Sequence, residues 1–381
     1  MLAYISICFV LTLFYAVIMT LYHSYWTETE ELSLQTEEYS YPSVSVIIPV
    51  RNESGHIAKL MEDLLKQNYP EELIEIIFVD DHSDDDTPHI VRGFGNERIQ
   101  LISLSELLKE EEVTTAYKKK AIETGIRYAK GEIIMTTDGD CRVPSGWIKR
   151  MIKIKQASSA KLLTGAVVMN GTETLFQKFQ ALDFLGMMGI TSAMLKMEIF
   201  NMANGANLLY EKAAFDAVNG FQGIDHLASG DDMLLMYKIA QKYEGAVGYA
   251  KHPEAVVYTE TMPTIGSFLQ QRFRWTAKSR DYQDKRMTWI LGTVFLFVLS
   301  LFVNLFFALF SKIFLCVVLI QIVVKCVVDY RLLDSTAQYY GRRDLMSSFF
   351  SSQVFHILYI VFVGSLGNIL KFEWKGRKQT K

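Results

Sequence analysis

The chain has 381 residues, 50% of them hydrophobic, and a formal net charge of −3. That length holds one substantial α/β domain and something more, and the charge offers no basic excess of the kind a main nucleic-acid partner demands. The four cysteines, Cys8, Cys141, Cys316 and Cys326, have no paired spacing, so neither zinc, a disulfide framework nor a redox site is implied.

The apolar residues concentrate in 2–21, 289–310, 313–328 and 354–370, whereas about 27 to 285 has a soluble protein's mixture. An apolar helix needs about 20 residues to cross roughly 30 Å of hydrocarbon. Residues 2–21 lack a basic leader and a small-x-small cleavage site, and Tyr25 and Trp26 suit an interfacial belt, so the segment reads as an uncleaved anchor. An acidic, polar stretch then carries the chain to its globular part.

Residues 44–49 form a Val/Ile-rich strand ending in Pro49, followed by Arg51, Asn52 and Glu53. A helix over 56–67 follows, with Ile57, Leu60, Leu64 and Leu65 at near-helical spacing. A second strand over 73–79 ends in Asp80-Asp81-His82-Ser83-Asp84. Strand, helix, strand predicts a parallel, doubly wound sheet with helices on its faces. Residues 99–104 are a weaker strand, and 117–128 a helix that starts with Lys118, Lys119 and Lys120. Those lysines are either a solvated face or a phosphate contact. No dinucleotide glycine fingerprint and no Walker loop is present.

The apolar run Ile133-Ile134-Met135 leads through two threonines into Asp138-Gly139-Asp140. Ligands bind at the carboxyl ends of strands in an open α/β sheet, and two carboxylates about a bend suit Mg²⁺ or Mn²⁺. A surface turn is the competing reading. A helix runs from Trp147 to about 156, and 160–170 is an edge or antiparallel strand. Residues 176–199 are long, apolar and methionine-rich, interrupted by Asp183 and Lys196; they form core, or a helix under the domain or lining an acceptor groove. Residues 201–210 are small and polar, with a helix starting at Glu211.

Ser229-Gly230-Asp231-Asp232 precedes a helix over 233–240. One carboxylate suffices as a cap, which leaves the other as a candidate general base. Finally SFLQQRFRWTAK, 267–278, puts Gln271, Arg274 and Trp275 on one helical side. Interfacial anchoring is the alternative there.

Taken in order, VSVIIPVRNE, FVDDHSDD, KKKAIETGI, DGD, NGAN, SGDD and QQRFRW resemble the family 2 glycosyltransferases, in particular the membrane-bound branch of cellulose, hyaluronan and chitin synthases and ceramide glucosyltransferase. The resemblance implies an α/β, GT-A-type nucleotide-binding fold with a mixed, mostly parallel sheet, plus α-helical transmembrane segments. Pro49, Arg51 and Glu53 would line the nucleotide pocket, Asp80 or Asp81 would contact the base, and Lys118 would lie near the nucleotide. Asp138 and Asp140 match the DxD motif, Asp140 being the more direct metal ligand. Asp231 and Asp232 match the family's acidic pair, with Asp232 the base, and Gln271, Arg274 and Trp275 match QxxRW. SGDD replaces the TED of cellulose synthases and no cyclic-nucleotide domain follows, which weakens the case for cellulose as product.

The implied activity is inverting, metal-dependent hexosyl transfer, of glucose or N-acetylglucosamine, using Mg²⁺ or Mn²⁺. The donor would be a nucleotide sugar, UDP-linked, and the acceptor a membrane lipid or a growing polysaccharide, with a homo-oligomer or export partner completing any polymer channel. The competing readings are a non-catalytic membrane scaffold with a degenerate transferase domain, and a nucleotidyltransferase, which leaves 271–275 unexplained. The expected organisation is an anchor (1–26), a linker (27–42), a cytoplasmic catalytic domain (43–262), an interfacial helix region (263–286), two or three spans (287–371) and a basic tail (372–381), in a bacterial inner membrane. Three spans would put the tail's lysines outside, against the positive-inside rule.

Overall fold

The computed structural model describes residues 1–29, 40–107, 116–200, 202–227, 229–277, 284–367, 372–374 and 377–379. Residues 30–39 of the expected linker and parts of the basic tail lie outside them.

The chain opens with α1 (Leu2–Glu28) and enters the α/β domain through β1 (Val44–Val50), α2 (Ile57–Leu65), β2 (Ile74–Asp80), α3 (Thr87–Gly93), β3 (Ile99–Ser103) and α4 (Leu104–Leu107). Next come α5 (Tyr117–Tyr128), β4 (Ile133–Thr136), α6 (Trp147–Ser158), β5 (Leu162–Gly165), β6 (Val167–Met169) and α7 (Leu175–Lys196). β7 (Leu208–Glu211), α8 (Lys212–Ala217), α9 (Met233–Lys242), β8 (Val247–Ala250) and β9 (Val257–Thr259) complete the domain. α10 (Ile265–Ala277), α11 (Lys285–Phe307), α12 (Lys312–Tyr339) and α13 (Phe349–Leu366) follow, then a hairpin of β10 (Phe372–Trp374) and β11 (Arg377–Gln379).

Seven strands form one sheet in the order β3-β2-β1-β4-β7-β5-β8. β3, β2, β1 and β4 are mutually parallel, β7 is antiparallel to both neighbours, and β5 and β8 are parallel. Alternation along β1 sends Val46 and Ile48 to one core and Ile47 to the other. The first of these cores is continuous with the apolar helices, taking in Tyr15, Met188, Phe297 and Leu332.

Three expectations are corrected. Residues 208–210, read as the end of a small polar stretch, form β7 with Glu211, because Leu208, Leu209 and Tyr210 are buried between β4 and β5; the helix expected from Glu211 follows as α8, with Glu211 as its N-cap. The single strand expected over 160–170 breaks at Ala166 into β5, in the main sheet, and β6, which pairs with β9. The Ala166 carbonyl accepts from Val257 N–H at 3.0 Å and from Asn207 Nδ2 at 2.8 Å, which fixes the break. The short segment expected over 313–328 is the 28-residue α12. Lys325 does not end it, since its ammonium is held by Asp329 one turn on and by Gln353, both at 2.5 Å.

Four helices, Leu2–Glu28, Lys285–Phe307, Lys312–Tyr339 and Arg343–Leu366, are long and apolar enough to cross a membrane. α7 packs among them against α1, α12 and α13. A Cβ on Gly186 would meet Leu333 Cδ2 at 2.7 Å and one on Gly189 would meet Thr336 Oγ1 at 2.6 Å, so these two glycines let α7 and α12 approach closely. Lys251 joins the α/β domain to α1: Nζ donates to the Trp26 and Thr29 carbonyls, both at 2.6 Å, and sits 4.0 Å from the centre of the Trp26 ring.

Candidate active site

A cavity of about 950 Å³ begins at the carboxyl ends of β1, β2 and β4 and continues between α7, α11, α12 and α13. Its domain end is walled by Pro49, Arg51, Glu53, Asp81, Lys118, Asp138, Asp140, Asp231 and Asp232, and α10, which precedes the later apolar helices, adds Gln271, Arg274 and Trp275. Six separated stretches of sequence thus meet in one space. Asp80 is the exception among the residues singled out, for it stands behind Asp81, buried, with Oδ1 unpartnered and Oδ2 accepting from Ser83 N–H at 3.4 Å.

The loops after β1 and β2 hold each other. Arg51 donates to the backbone carbonyls of Asp81, at 2.8 Å, and His82. Asn52 N–H donates to Ser83 Oγ at 3.0 Å, and Asp84 N–H to Asn52 Oδ1 at 2.8 Å. Asn52 and His82 take positive φ of 53° and 55° at these turns. Gly139 lets the DGD turn press on this wall, because a Cβ there would lie 2.9 Å from Glu53 Cγ and 3.1 Å from Val50 Cγ1.

The structure separates the three lysines. Lys118 Nζ donates to Asp138 Oδ1 at 2.7 Å and lies 3.7 Å from Asp231 Oδ2. Burial opposes its charge, but the Asp138, Asp231 and Asp232 carboxylates outweigh that and hold its pKa well above the usual lysine range. Lys119 is turned away, donating to the carbonyls of Ile224 (2.8 Å), Leu227 (2.6 Å) and Ser229 (2.7 Å). It therefore pins the loop that delivers Asp231 and Asp232.

Asp232 caps α9, accepting from Met233 N–H at 2.7 Å through Oδ1 and from Gly205 N–H at 3.2 Å through Oδ2. Gly205 is confined, since a Cβ there would meet Asp231 Oδ2 at 3.1 Å and Lys118 Nζ at 3.5 Å. Asn204 and Asn207 serve the scaffold: Asn204 Nδ2 donates to Gly165 O at 2.9 Å, and Asn207 Oδ1 accepts from the Trp147 indole at 3.0 Å.

Among the described residues no group of three His, Cys, Asp or Glu side chains is placed to hold a metal. Asp138 and Asp140 nevertheless line the same wall, and an all-oxygen pair fits a hard divalent cation that draws its other ligands from water and a diphosphate.

Trp275 stacks on Phe184 of α7, ring centres 5.5 Å apart. The neighbouring Arg272 is buried, 2.9 Å from Asp183 Oδ2 and 4.4 Å from the Trp275 ring centre. Sequence reasoning did not reach this pair. The signal was an aspartate in the middle of an apolar helix and an extra arginine beside the motif.

The Glycosyl transferase family 2 model matches residues 45–218, and the Glycosyl transferase family group 2 model matches residues 133–364, more than half the chain. The chain belongs to the family 2 glycosyltransferases. Family relatives include the glycosyltransferase AglE of Haloferax volcanii, 31% identical over 197 residues, which are 50% of this chain and 59% of that one. The beta-monoglucosyldiacylglycerol synthase of Trichormus variabilis is 24% identical over 279 residues, 69% of this chain and 56% of that protein. The chain thus spans between 56% and 59% of the length of these two relatives. A mannosyltransferase from Pyrobaculum calidifontis, solved with GDP-Man and Mn²⁺, superposes with a TM-score of 0.61 at 16% identity, over 93% of this chain and 99% of that one. The shared fold is the GT-A-type architecture expected of a family 2 glycosyltransferase.

Proposed function

We propose that this chain is an inverting, membrane-bound hexosyltransferase that moves a sugar from a nucleoside-diphosphate donor to a lipid acceptor. The observation that carries this reading is the single cavity that joins the strand-end carboxylates to Arg274 and runs on between apolar helices. An acceptor embedded in the bilayer reaches the donor through that arm. A relative named for glucosyldiacylglycerol synthesis supports a lipid acceptor.

In this reading Pro49, Arg51, Glu53 and Asp81 form the nucleotide end. The Asp81 carboxylate accepts an N–H from the base, which uracil N3 and guanine N1 both supply; we take uridine as the base. Lys118, Gln271 and Arg274 meet the diphosphate, with Arg274 placed where negative charge grows as the leaving group departs. Asp138 and Asp140 would hold Mg²⁺ or Mn²⁺, which when bound supplies Lewis-acid stabilisation to the same oxygens. Asp232 takes the proton of the acceptor hydroxyl as that oxygen bonds to C1 and the C1–diphosphate bond breaks on the opposite face. Asp231 fixes Lys118, and Trp275 floors the sugar site.

We also place the protein in a bacterial inner membrane with the α/β domain in the cytoplasm. Both ends of α13 are tied to domain-side elements. Ahead of it Arg342 donates to Met169 O at 2.7 Å, and past its end a Cβ on Gly367 would meet Thr276 Cγ2 at 3.1 Å. The β10 strand also lies against α10. The basic tail then shares the catalytic side, as the positive-inside rule prefers, with α13 lying along that face.

The test is to incubate membranes with labelled UDP-glucose, UDP-N-acetylglucosamine and GDP-mannose with Mg²⁺ or Mn²⁺, then extract lipid and polymer. Label in lipid supports the proposal. Label in neither fraction, with no donor hydrolysis, favours the scaffold reading.

A further inference from the structure

Beyond Trp275 the cavity ends in a polar arm walled by Asp183, Asp329, Ser352, Gln353, His356 and Tyr359. Asp329 is about 15 Å along α12 from Tyr339, whose hydroxyl is bonded to Lys251 O of the α/β domain. Ionisable groups among apolar helices are costly and mark substrate pathways where they line a cavity.

The charges here are already neutralised from behind. Arg272 pairs with Asp183 at 2.9 Å and Lys325 with Asp329 at 2.5 Å, and neither cation lines the cavity. Every lysine or arginine among the described lining residues, namely Arg51, Lys118 and Arg274, stands at the donor end. Tyr359 and Tyr15 donate to the two aspartates at 3.0 Å and 2.6 Å. Among the described residues, what lines the arm is therefore carboxylate, amide, hydroxyl and imidazole, with no cation to meet an anion. His356 lines the arm with Nε2 3.9 Å from Asp183 Oδ1, and its Nδ1 has no hydrogen-bond partner among the described residues.

We propose that this arm is the acceptor subsite and that it takes the headgroup of an uncharged, hydroxyl-bearing lipid in preference to a lipid phosphate. The inference rests on the transferase reading above and deepens it. A phosphate in the arm would face Asp183 and Asp329 with their countercharges on the far side, whereas hydroxyls both donate to such carboxylates and accept from Tyr and His donors.

The test uses the full chain, delipidated and returned to nanodiscs of zwitterionic lipid. A neutral glycolipid is supplied as acceptor against phosphatidic acid or a polyprenyl phosphate. Nucleoside-diphosphate binding is measured on the same samples. The expected result is transfer to the neutral glycolipid, with His356→Leu raising the acceptor KM about tenfold, donor affinity unchanged, and His356→Gln restoring much of the loss. Preference for a lipid phosphate, or an acceptor KM within twofold in His356→Leu that still binds nucleoside diphosphate, overturns the inference. Donor hydrolysis without transfer to the neutral glycolipid also overturns it. Wild-type protein that binds no nucleoside diphosphate refutes the transferase reading itself.

Discussion

Asp232 is asked to do two jobs, and Asp232→Asn separates them. As a helix cap, the aspartate accepts from Met233 N–H at 2.7 Å and from Gly205 N–H at 3.2 Å. Asparagine caps a helix about as well as aspartate, so the Met233 bond survives. Its amide nitrogen cannot accept from Gly205 N–H, and that single bond is worth about 1 kcal/mol. As a base, by contrast, asparagine is useless, and a general base contributes about 10²–10⁴ to rate, or roughly 3–5.5 kcal/mol of barrier. The variant should unfold within about 1–1.5 kcal/mol of the parent while its kcat falls at least 10²-fold and its donor KM stays put. Labelled-donor kinetics on purified membranes, with denaturation of the detergent-solubilised protein alongside, give both numbers. Turnover within tenfold of the parent, or donor affinity lost with turnover intact, would refute the base assignment.

Lys119→Met should remove three charge-assisted bonds to the carbonyls of Ile224, Leu227 and Ser229; stability falls by about 3–5 kcal/mol, read as a lowered denaturation midpoint, whereas Lys118→Met weakens donor binding with a smaller stability change. Gly189→Val forces α7 off Thr336 of α12 and should cost about 1–3 kcal/mol by overpacking, visible in thermal unfolding. Chelating divalent cations should abolish transfer, with added Mg²⁺ or Mn²⁺ restoring it in the parent but not in Asp140→Asn. Burial works to raise the Asp85 pKa, but hydrogen bonds from Thr87 and Ser54 prevail and hold it at about 2. Its contribution is therefore complete above pH of about 4 and lost as pH falls through about 2, so Asp85→Asn should flatten the acid limb of the stability curve in that window.

Much of the fold was legible because its parallel half is written in nearly continuous apolar runs. β1, β2 and β4 are mostly Val, Ile, Phe and Met, interrupted by Ser45, Pro49 and Glu75, and are buried throughout or nearly so, and each leads into the polar residues that line or back the cavity. β7, β8 and β9 are only three or four residues long, too short for periodicity to declare itself, and their strand state is imposed by neighbours. The site was legible at Asp138, Asp140, Asp232 and Arg274 because their surroundings form motifs. Among three adjacent lysines, Lys118 was reached only through the order of the motifs and not through periodicity, since helical phase relative to a distant loop is a tertiary fact. The same holds for Arg272 and Asp183, which meet across 89 residues of chain, and for Lys325, whose partner Gln353 lies on another helix.

α7 explains why the apolar helices and the candidate site cannot be treated as separate modules. Along one helix, Phe184 supports Trp275, Asp183 holds Arg272, and Gly186 and Gly189 lock onto α12. On its domain side Met188 Sδ accepts from Val167 N–H at 3.4 Å and from Asn204 Nδ2 at 3.2 Å, and Asn204 is followed by Gly205, which donates to Asp232. A shift of α12 along α7 is thus felt at the proposed base through packed side chains and two hydrogen bonds, not through a flexible linker. The sequence order makes the same point, because α7 interrupts the α/β domain between β6 and β7: the domain cannot complete its sheet without first sending a helix down among the apolar ones. The wall of the acceptor arm and the strand that brings Gly205 to Asp232 are consecutive in the chain, so whatever the arm admits is positioned by the same helix that sets the site.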